Sequence, residues 1–332
     1  MTRKPPARAK SQVLNVEARA ARAEQRRRLG SLVALRVAVQ TRNRYCKAYA
    51  RLSAFAQERD VRIARVEDLD MLLSWYIETL WQEGDPRPYA NDAAAAVQYY
   101  FPAARRNLNL AWSLCAAWGR HELPARALPL TPSMLAGYCG AFLVAGEPRL
   151  AAMSVVAFDV LARTGEFLSL ERGNVFLEKD GKQAVLSFHA TKRGARLGVD
   201  ESIVVDDDVT LVCLRYLCAN KQPGDKLLGL SEHRLRKRWA HVTACLGLEG
   251  FTIRPYSLRR GGATHRYRVT GNLHTVASRG RWASLSTTRR YIDDGTAALA
   301  SLCLTEWQER NLAALRAIWL QWLARTEASL VN

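Results

Sequence analysis

"SRGRWASLSTTRRYID", residues 278–293, is the stretch on which the reading of this chain turns. Trp282 and Tyr291 sit nine positions apart, four arginines lie within or just before that interval, and no acid follows until Asp293. Nine positions is two and a half helical turns, too far for the two rings to share one face of a short helix. A buried tyrosine needs one hydrogen bond for its hydroxyl, not a field of guanidiniums. A tyrosine that attacks a phosphate needs such a field.

The surroundings extend the pattern. Between residues 251 and 290 there are nine arginines and neither Asp nor Glu, a one-sign surface that solvation alone does not call for. Over all 332 residues, Lys and Arg number 49 against 31 Asp and Glu, a formal charge of +18. That excess bears on partners rather than fold, and it fits a polyanion, nucleic acid first; a membrane surface is the competing reading. No apolar run approaches the ~20 residues needed to span a bilayer, and none resembles a signal peptide. The expected location is the nucleus in a eukaryote and otherwise the cytoplasm or nucleoid. The seven cysteines are scattered, with no Cys-x-x-Cys pair and no Cys/His cluster. They imply neither zinc nor disulfides, and no cofactor is expected.

Residues 1–30 carry nine Lys/Arg against Glu17 and Glu24 and read as a basic flexible arm. From Thr41 the periodicity is helical, with Tyr45, Tyr49, Leu52 and Phe55 on one stripe and Leu69, Leu72, Leu73, Tyr76, Ile77 and Leu80 on another. After the break at "GDPRP" (84–88), helices near 89–100 and 108–119 complete a four-helix unit within 31–125. The proline-rich "RHELPARALPLTP" (120–132) is the best linker. Pro132 and Pro148 then sit where helices start. "QAVLSFHATKRGARLGVDESIVV" (183–205) alternates around a Lys-Arg-Gly turn, a hairpin signal. Asp206–Asp208 invite a metal reading, but three acids before "VTLVCLRYL" suit a helix start favoured by its dipole. The predicted fold class is therefore mainly α with a small antiparallel β-sheet: a helical domain at 31–125, a second domain at 130–300, and an amphipathic helix in 301–332.

Four separated segments carry residues that make sense together. "LARTGE" holds Arg163 with Glu166 one turn later, "ATKRGA" puts Lys192 at or beside the hairpin tip, and "PYSLRRGGATHRY" offers Tyr256 and Arg259 on one face of a helix capped by Ser257. The opening stretch adds Trp282 and Tyr291. Singly, each has a plainer reading: a surface arginine, a hairpin-tip charge, a core aromatic, a helix-end tyrosine.

In order, local motif and spacing, these blocks resemble those of the tyrosine recombinases, the phage integrase family, across residues 130–300; the unit at 35–120 resembles their core-binding domain more loosely. In that family the first Arg lies in an Arg-x-x-Glu/Asp stretch, the Lys on a β-hairpin, the second Arg ends a His-x-x-Arg motif, and His or Trp precedes the Tyr by nine residues. Carried over residue by residue, the resemblance names Arg163, Lys192, Arg259, Trp282 and Tyr291, with Tyr256 where the family usually has His or Lys. A tyrosine there can donate to a phosphate oxygen but cannot serve as a base near neutral pH, its reference pKa being about 10. His265 and Arg268 form a literal His-x-x-Arg further along, but Arg268 is only 23 residues before Tyr291, against 32 for Arg259, and the longer spacing suits the family.

The resemblance implies a helical core-binding domain followed by a catalytic domain that cleaves and rejoins double-stranded DNA, without metal, through a 3′-phosphotyrosine. The two domains would clamp the duplex between them. Arg163 and Arg259 would each grip non-bridging phosphate oxygens, Lys192 would protonate the leaving 5′-oxygen, and Trp282 would donate its indole N–H. Glu166 reads either as a partner orienting an arginine or as an ordinary helix acid. The remaining arginines, Arg254, Arg260, Arg266, Arg268, Arg281, Arg289 and Arg290, are expected to bind DNA. The C-terminal stripe of Leu304, Trp307, Leu315, Ile318, Trp319 and Trp322 must pack somewhere. It would link a homotetramer on DNA or fold back on its own domain. Three rival readings are a catalytically inactive DNA-binding protein of the same fold, a type IB topoisomerase-like enzyme and a metal-dependent nuclease.

Overall fold

Four amphipathic helices, Val39–Glu58, Val66–Gln82, Pro88–Tyr100 and Asn109–His121, account for the first of two compact units, which divide between Pro124 and Ala125. In this computed structural model, residues 16–123, 125–178, 181–188 and 201–331 are described. The stripes recur as a core: Leu52 and Phe55 meet Leu69, Leu72, Leu73, Tyr76, Ile77 and Leu80, closed by Val97, Cys115 and Trp118. Alanines 90, 93, 94 and 96 are fully buried, small enough to bring the third helix close to its neighbours. Tyr45 and Tyr49 stay outside this core and pack on Tyr99, Tyr100 and Phe101. Asn109–His121 lacks a side-chain cap of its own. Instead Asp70, on the second helix, accepts the N–H groups of Leu110 and Ala111 at 3.0 and 2.9 Å.

Residues 1–15 of the basic arm lie outside the described residues. Val16–Leu29 is a helix with no buried residue. Alanine, arginine, glutamate and glutamine are strong helix formers, and Glu24 pairs one turn on with Arg27 (3.0 Å) and Arg28 (3.4 Å).

The second unit is built on helices Pro132–Val144 and Pro148–Asp159, each with proline in its first turn; Thr131 Oγ1 caps the first by accepting the Met134 N–H at 3.2 Å. The expected hairpin is β2 (Ala184–Phe188) and β3 (Glu201–Val205), antiparallel with Phe188 opposite Glu201. Lys192 lies outside the described residues, as does the rest of 189–200. A short strand not foreseen from sequence, β1 (Val175–Leu177), pairs antiparallel with β2, giving sheet order β1-β2-β3. Alternation turns Ala184, Leu186, Phe188, Ile203 and Val205 into the core. Asp207 caps helix Asp208–Cys218, its Oδ2 accepting the Thr210 N–H at 2.9 Å, so this acid serves a helix start.

Helix Ser257–Thr270 crosses this unit at very short range. A Cβ on Gly261 would strike the Leu130 backbone, and one on Gly262 the Phe158 backbone, so glycine is what allows the approach. The last helix, Glu306–Val331, lies along Pro132–Val144 of its own chain, where Gly137 and Gly140 make room for Leu312 and Leu315. Of the expected stripe, Trp319 is buried and Leu304, Leu315 and Trp322 pack on the core, whereas Trp307 and Ile318 are exposed; Leu312 is the buried residue missing from the sequence reading. No described helix is long and apolar enough to cross a membrane.

Candidate active site

The site is assembled at the start of helix Ser257–Thr270. The sequence suggests Ser257 as its cap, but the Ser257 Oγ instead accepts the Arg254 N–H at 3.1 Å, closing the turn that precedes the helix. Tyr256 takes the cap position, with half-exposed side chain, and Arg259 follows within the first turn.

Arg259 is completely buried. Its Nη1 donates to the Leu161 carbonyl, and its Nη2 donates to the Gly280 carbonyl at 2.8 Å. Both acceptors lie at left-handed turns made without glycine: Leu161 has φ 51°, and Arg281, next to Gly280, has φ 56°. Of five guanidinium donors, two are thus committed to holding the ends of two helices in place. The group also lies over the rings of Trp282 (4.6 Å to the centroid) and Tyr291 (5.2 Å). Burial, and then the charge of Arg163, pull its pKa down to about 10, which leaves it cationic at neutral pH.

Tyr291 is held between three groups. The Trp282 ring packs 4.3 Å away, Arg259 lies against it, and the Tyr256 hydroxyl donates to the Tyr291 hydroxyl at 2.8 Å. Burial by itself would raise the Tyr291 pKa, but the Tyr256 hydrogen bond and the Arg259 charge outweigh it, and the phenol is more acidic than an ordinary tyrosine. Tyr256 moves the opposite way, raised by burial and by donating to Tyr291. One phenol is tuned towards phenolate and its neighbour is kept protonated. The Trp282 indole N–H, buried beside them, adds to the pull on Tyr291 without an aligned hydrogen bond of its own.

Arg163 is the residue before helix Thr164–Ser169, and Glu166 reaches back to it: the carboxylate accepts the Arg163 backbone N–H at 2.8 Å and pairs with its guanidinium. The same carboxylate accepts from Arg281 Nη2 at 2.6 Å and lies 4.0 Å from Arg259 Nη1. Burial opposes the charge, but Arg281 and Arg163 hold the Glu166 pKa below its ordinary value. Glu166 is therefore the shared counter-ion of the site, and the reading of it as an ordinary helix acid is set aside. A cavity of about 930 Å³ opens beside Tyr256 and Tyr291 and is lined also by Thr164, Arg126, Arg236, Arg254 and Arg290. Chemically, this is an acidified phenol backed by guanidiniums at the edge of a basic hollow.

No family model matches the chain, and no curated protein matches it in sequence. Solved structures do match in fold. The XerH site-specific recombinase bound to palindromic difH substrate, a post-cleavage complex, superposes with a TM-score of 0.51 at 16% identity, covering 77% of this chain and 79% of that one. The Tn1549 transposon integrase in complex with transposon right end DNA gives 0.56 at 11% identity, with 84% and 96% covered. The lambda integrase dimer bound to a COC′ core site gives 0.55 at 16% identity, with 85% and 78% covered. The fold is that of the tyrosine recombinases.

Within this tyrosine-recombinase fold, the structure brings Arg163, Tyr256, Arg259, Trp282 and Tyr291 together. His265 is exposed and Arg268 pairs with Asp294 at 3.1 Å; Arg259, not Arg268, meets the tyrosine ring. Among the arginines expected to bind DNA, Arg254, Arg268, Arg289 and Arg290 are exposed. Two need correction. Arg260 is buried, donating to the Ala127 carbonyl at 2.7 Å and to Asp293 at 3.0 Å, and Arg281 is buried against Glu166. Arg266 is half-buried and tied to Asp159 at 3.0 Å. In each case a carboxylate distant in sequence draws the side chain inward, which local charge counting does not register. Conversely, Arg126 and Arg236 line the cavity and were not singled out. For Arg236 the available signal was the run "EHRLRKRW" (232–239), where four Lys/Arg fall within one helix; Arg126, in the proline-rich linker, had none.

Proposed function

We propose that this protein cuts and rejoins duplex DNA through a covalent 3′-phosphotyrosine on Tyr291, as a site-specific recombinase or integrase. The observation that carries the reading is the Tyr291 hydroxyl itself: acidified, accepting from Tyr256 at 2.8 Å, backed by Arg259, and set beside a cavity lined with arginines. The fold of DNA-bound recombinases supports a DNA partner, and the charge of +18 supports it independently.

In this reading the Tyr291 hydroxyl gives up its proton to solvent in the adjoining cavity, and its oxygen attacks the phosphorus and forms a phosphotyrosyl ester at the 3′ end. The bond to the 5′-oxygen breaks, and that oxygen leaves with a proton from Lys192. Attack by a 5′-hydroxyl on the ester reverses the step and reseals the strand, so no external energy source is needed. Arg163 and Arg259 stabilise the charge that accumulates on the non-bridging oxygens. Tetramer formation on DNA belongs to the same reading. With the last helix docked on its own unit, contacts between copies fall to residues left exposed there, such as Trp307, Ile318 and Leu320.

The test is incubation with nicked duplex DNA in EDTA, followed by denaturing electrophoresis. A DNA–protein complex that survives denaturation supports the reading. DNA binding without it favours the inactive DNA-binding protein.

A further inference from the structure

Helix Leu273–Gly280 ends in a left-handed turn, and the residue that makes the turn is Arg281 (φ 56°, ψ 42°). Contact between Cβ and the following carbonyl disfavours this conformation for most residues other than glycine, with Asn and Asp the tolerated exceptions. A side chain kept there must be held by its surroundings. Here the guanidinium is buried, donates to Glu166 Oε2 at 2.6 Å, lies 3.9 Å from Glu201 Oε2, and sits 4.0 Å over the Phe188 ring.

Those contacts fall on the supports of three different site components. Glu166 is the carboxylate that holds Arg163. Phe188 ends β2 and Glu201 begins β3, directly paired, so they are the two feet of the connection that carries Lys192. Trp282 is the next residue in the chain. Arg281 reaches these groups without lining the cavity beside Tyr291.

We propose that Arg281 is a positioning residue that fixes Arg163, through Glu166, and the feet of the Lys192-bearing connection relative to Trp282 and Tyr291. A flat guanidinium suits the task because it can lie on the Phe188 ring, donate in its own plane to Glu166 and stay within ion-pair distance of Glu201. An ammonium does not reproduce that geometry. The effect on reaction rate rests on the function proposed above; the effect on the supports does not.

The test uses the full chain with Arg281→Gly, which supplies the residue the backbone prefers, and Arg281→Asn, which also tolerates the left-handed region, as a second variant. Both should remain folded at the assay temperature, with a lower thermal midpoint because the buried pair with Glu166 is broken. Amide hydrogen exchange should accelerate about tenfold or more over residues 163–169 and at Phe188 and Glu201, while the first unit is unchanged. Covalent adduct formation on nicked DNA should fall by about a hundredfold, as for misplaced catalytic groups generally. Added guanidinium ion should restore both readouts in Arg281→Gly, whereas Arg281→Lys should restore little. Folded variants with unchanged exchange at both supports would overturn the proposal, as would faster exchange with an unaltered rate of adduct formation. Absence of adduct from the wild-type protein would defeat the proposed function, and exchange would still decide whether Arg281 orders the supports.

Discussion

The hydroxyl of Tyr256 donates a 2.8 Å hydrogen bond to the hydroxyl of Tyr291. The sequence reading gives Tyr256 a different partner, a phosphate oxygen, and the two roles differ in their pH dependence. A donor to the nucleophile lowers the pKa at which Tyr291 ionises, so its loss matters most where the phenol would otherwise be protonated. A hydrogen bond to a charged acceptor is worth about 1.5–3 kcal/mol, so Tyr256→Phe should slow adduct formation about ten- to a hundredfold near neutral pH. The deficit should narrow as pH rises and Tyr291 ionises unaided. Single-turnover cleavage across a pH series is the measurement; an equal loss at every pH would assign Tyr256 to the phosphate.

Arg163 and Arg259 should separate when rate and stability are measured together. By analogy with loss of an oxyanion donor, either change to alanine should slow cleavage by about two to three orders of magnitude. Arg259 is also fully buried and bonded to the carbonyls of Leu161 and Gly280, whereas the Arg163 side chain is 31% exposed. Arg259→Ala should therefore lower the thermal midpoint more than Arg163→Ala. Equal midpoints would mean that the buried carbonyl bonds contribute nothing to holding the site.

Glu166 makes a prediction about acid stability. Its folded pKa lies below the ordinary 4.5, so the stability its charge contributes is present above that value and is lost as pH falls through the depressed pKa. Removing the carboxylate leaves Arg281 and Arg163 without their shared counter-ion, and breaking such a buried pair costs about 3–5 kcal/mol. Glu166→Gln should be less stable than wild type near neutral pH, with the gap closing in acid. Denaturant midpoints at several pH values test this. A gap that persists unchanged into acid would show that the charge is not what matters.

The last helix should behave as part of its own unit. A methyl group on Gly140 would meet the Leu315 backbone, so Gly140→Ala should destabilise by about 1–3 kcal/mol as an overpacked contact. Truncation after Ala300 should expose the surface covered by Leu312 and Trp319 and leave an insoluble or unfolded product. A truncated protein that stays folded, binds a half-site and loses only multi-subunit complexes would place the helix between copies instead.

What could be read beforehand divides along a physical line. Arg163 with Glu166, Tyr256 with Arg259, and Trp282 with Tyr291 are each fixed by spacing along a single local segment, so the sequence exposes them. The fates of Arg260 and Arg281 depend on Asp293 folding back and on Glu166, which is 115 positions away from Arg281, and no local pattern encodes either pairing. The amphipathic stripe of the last helix was visible, but its partner was not. Gly137 and Gly140, a small-residue face on Pro132–Val144, were the available hint. β1 has only three residues, too few to show alternation.

The central claim is that Tyr291 is the nucleophile, and mapping the covalent adduct tests it most directly. Wild-type protein trapped on nicked duplex, then digested with protease and nuclease, should yield a nucleotide-modified peptide containing Tyr291. Tyr291→Phe should bind the same DNA with nearly unchanged affinity and give no adduct. A modified peptide carrying Tyr256 or Tyr267, or an adduct that persists in Tyr291→Phe, would contradict the assignment.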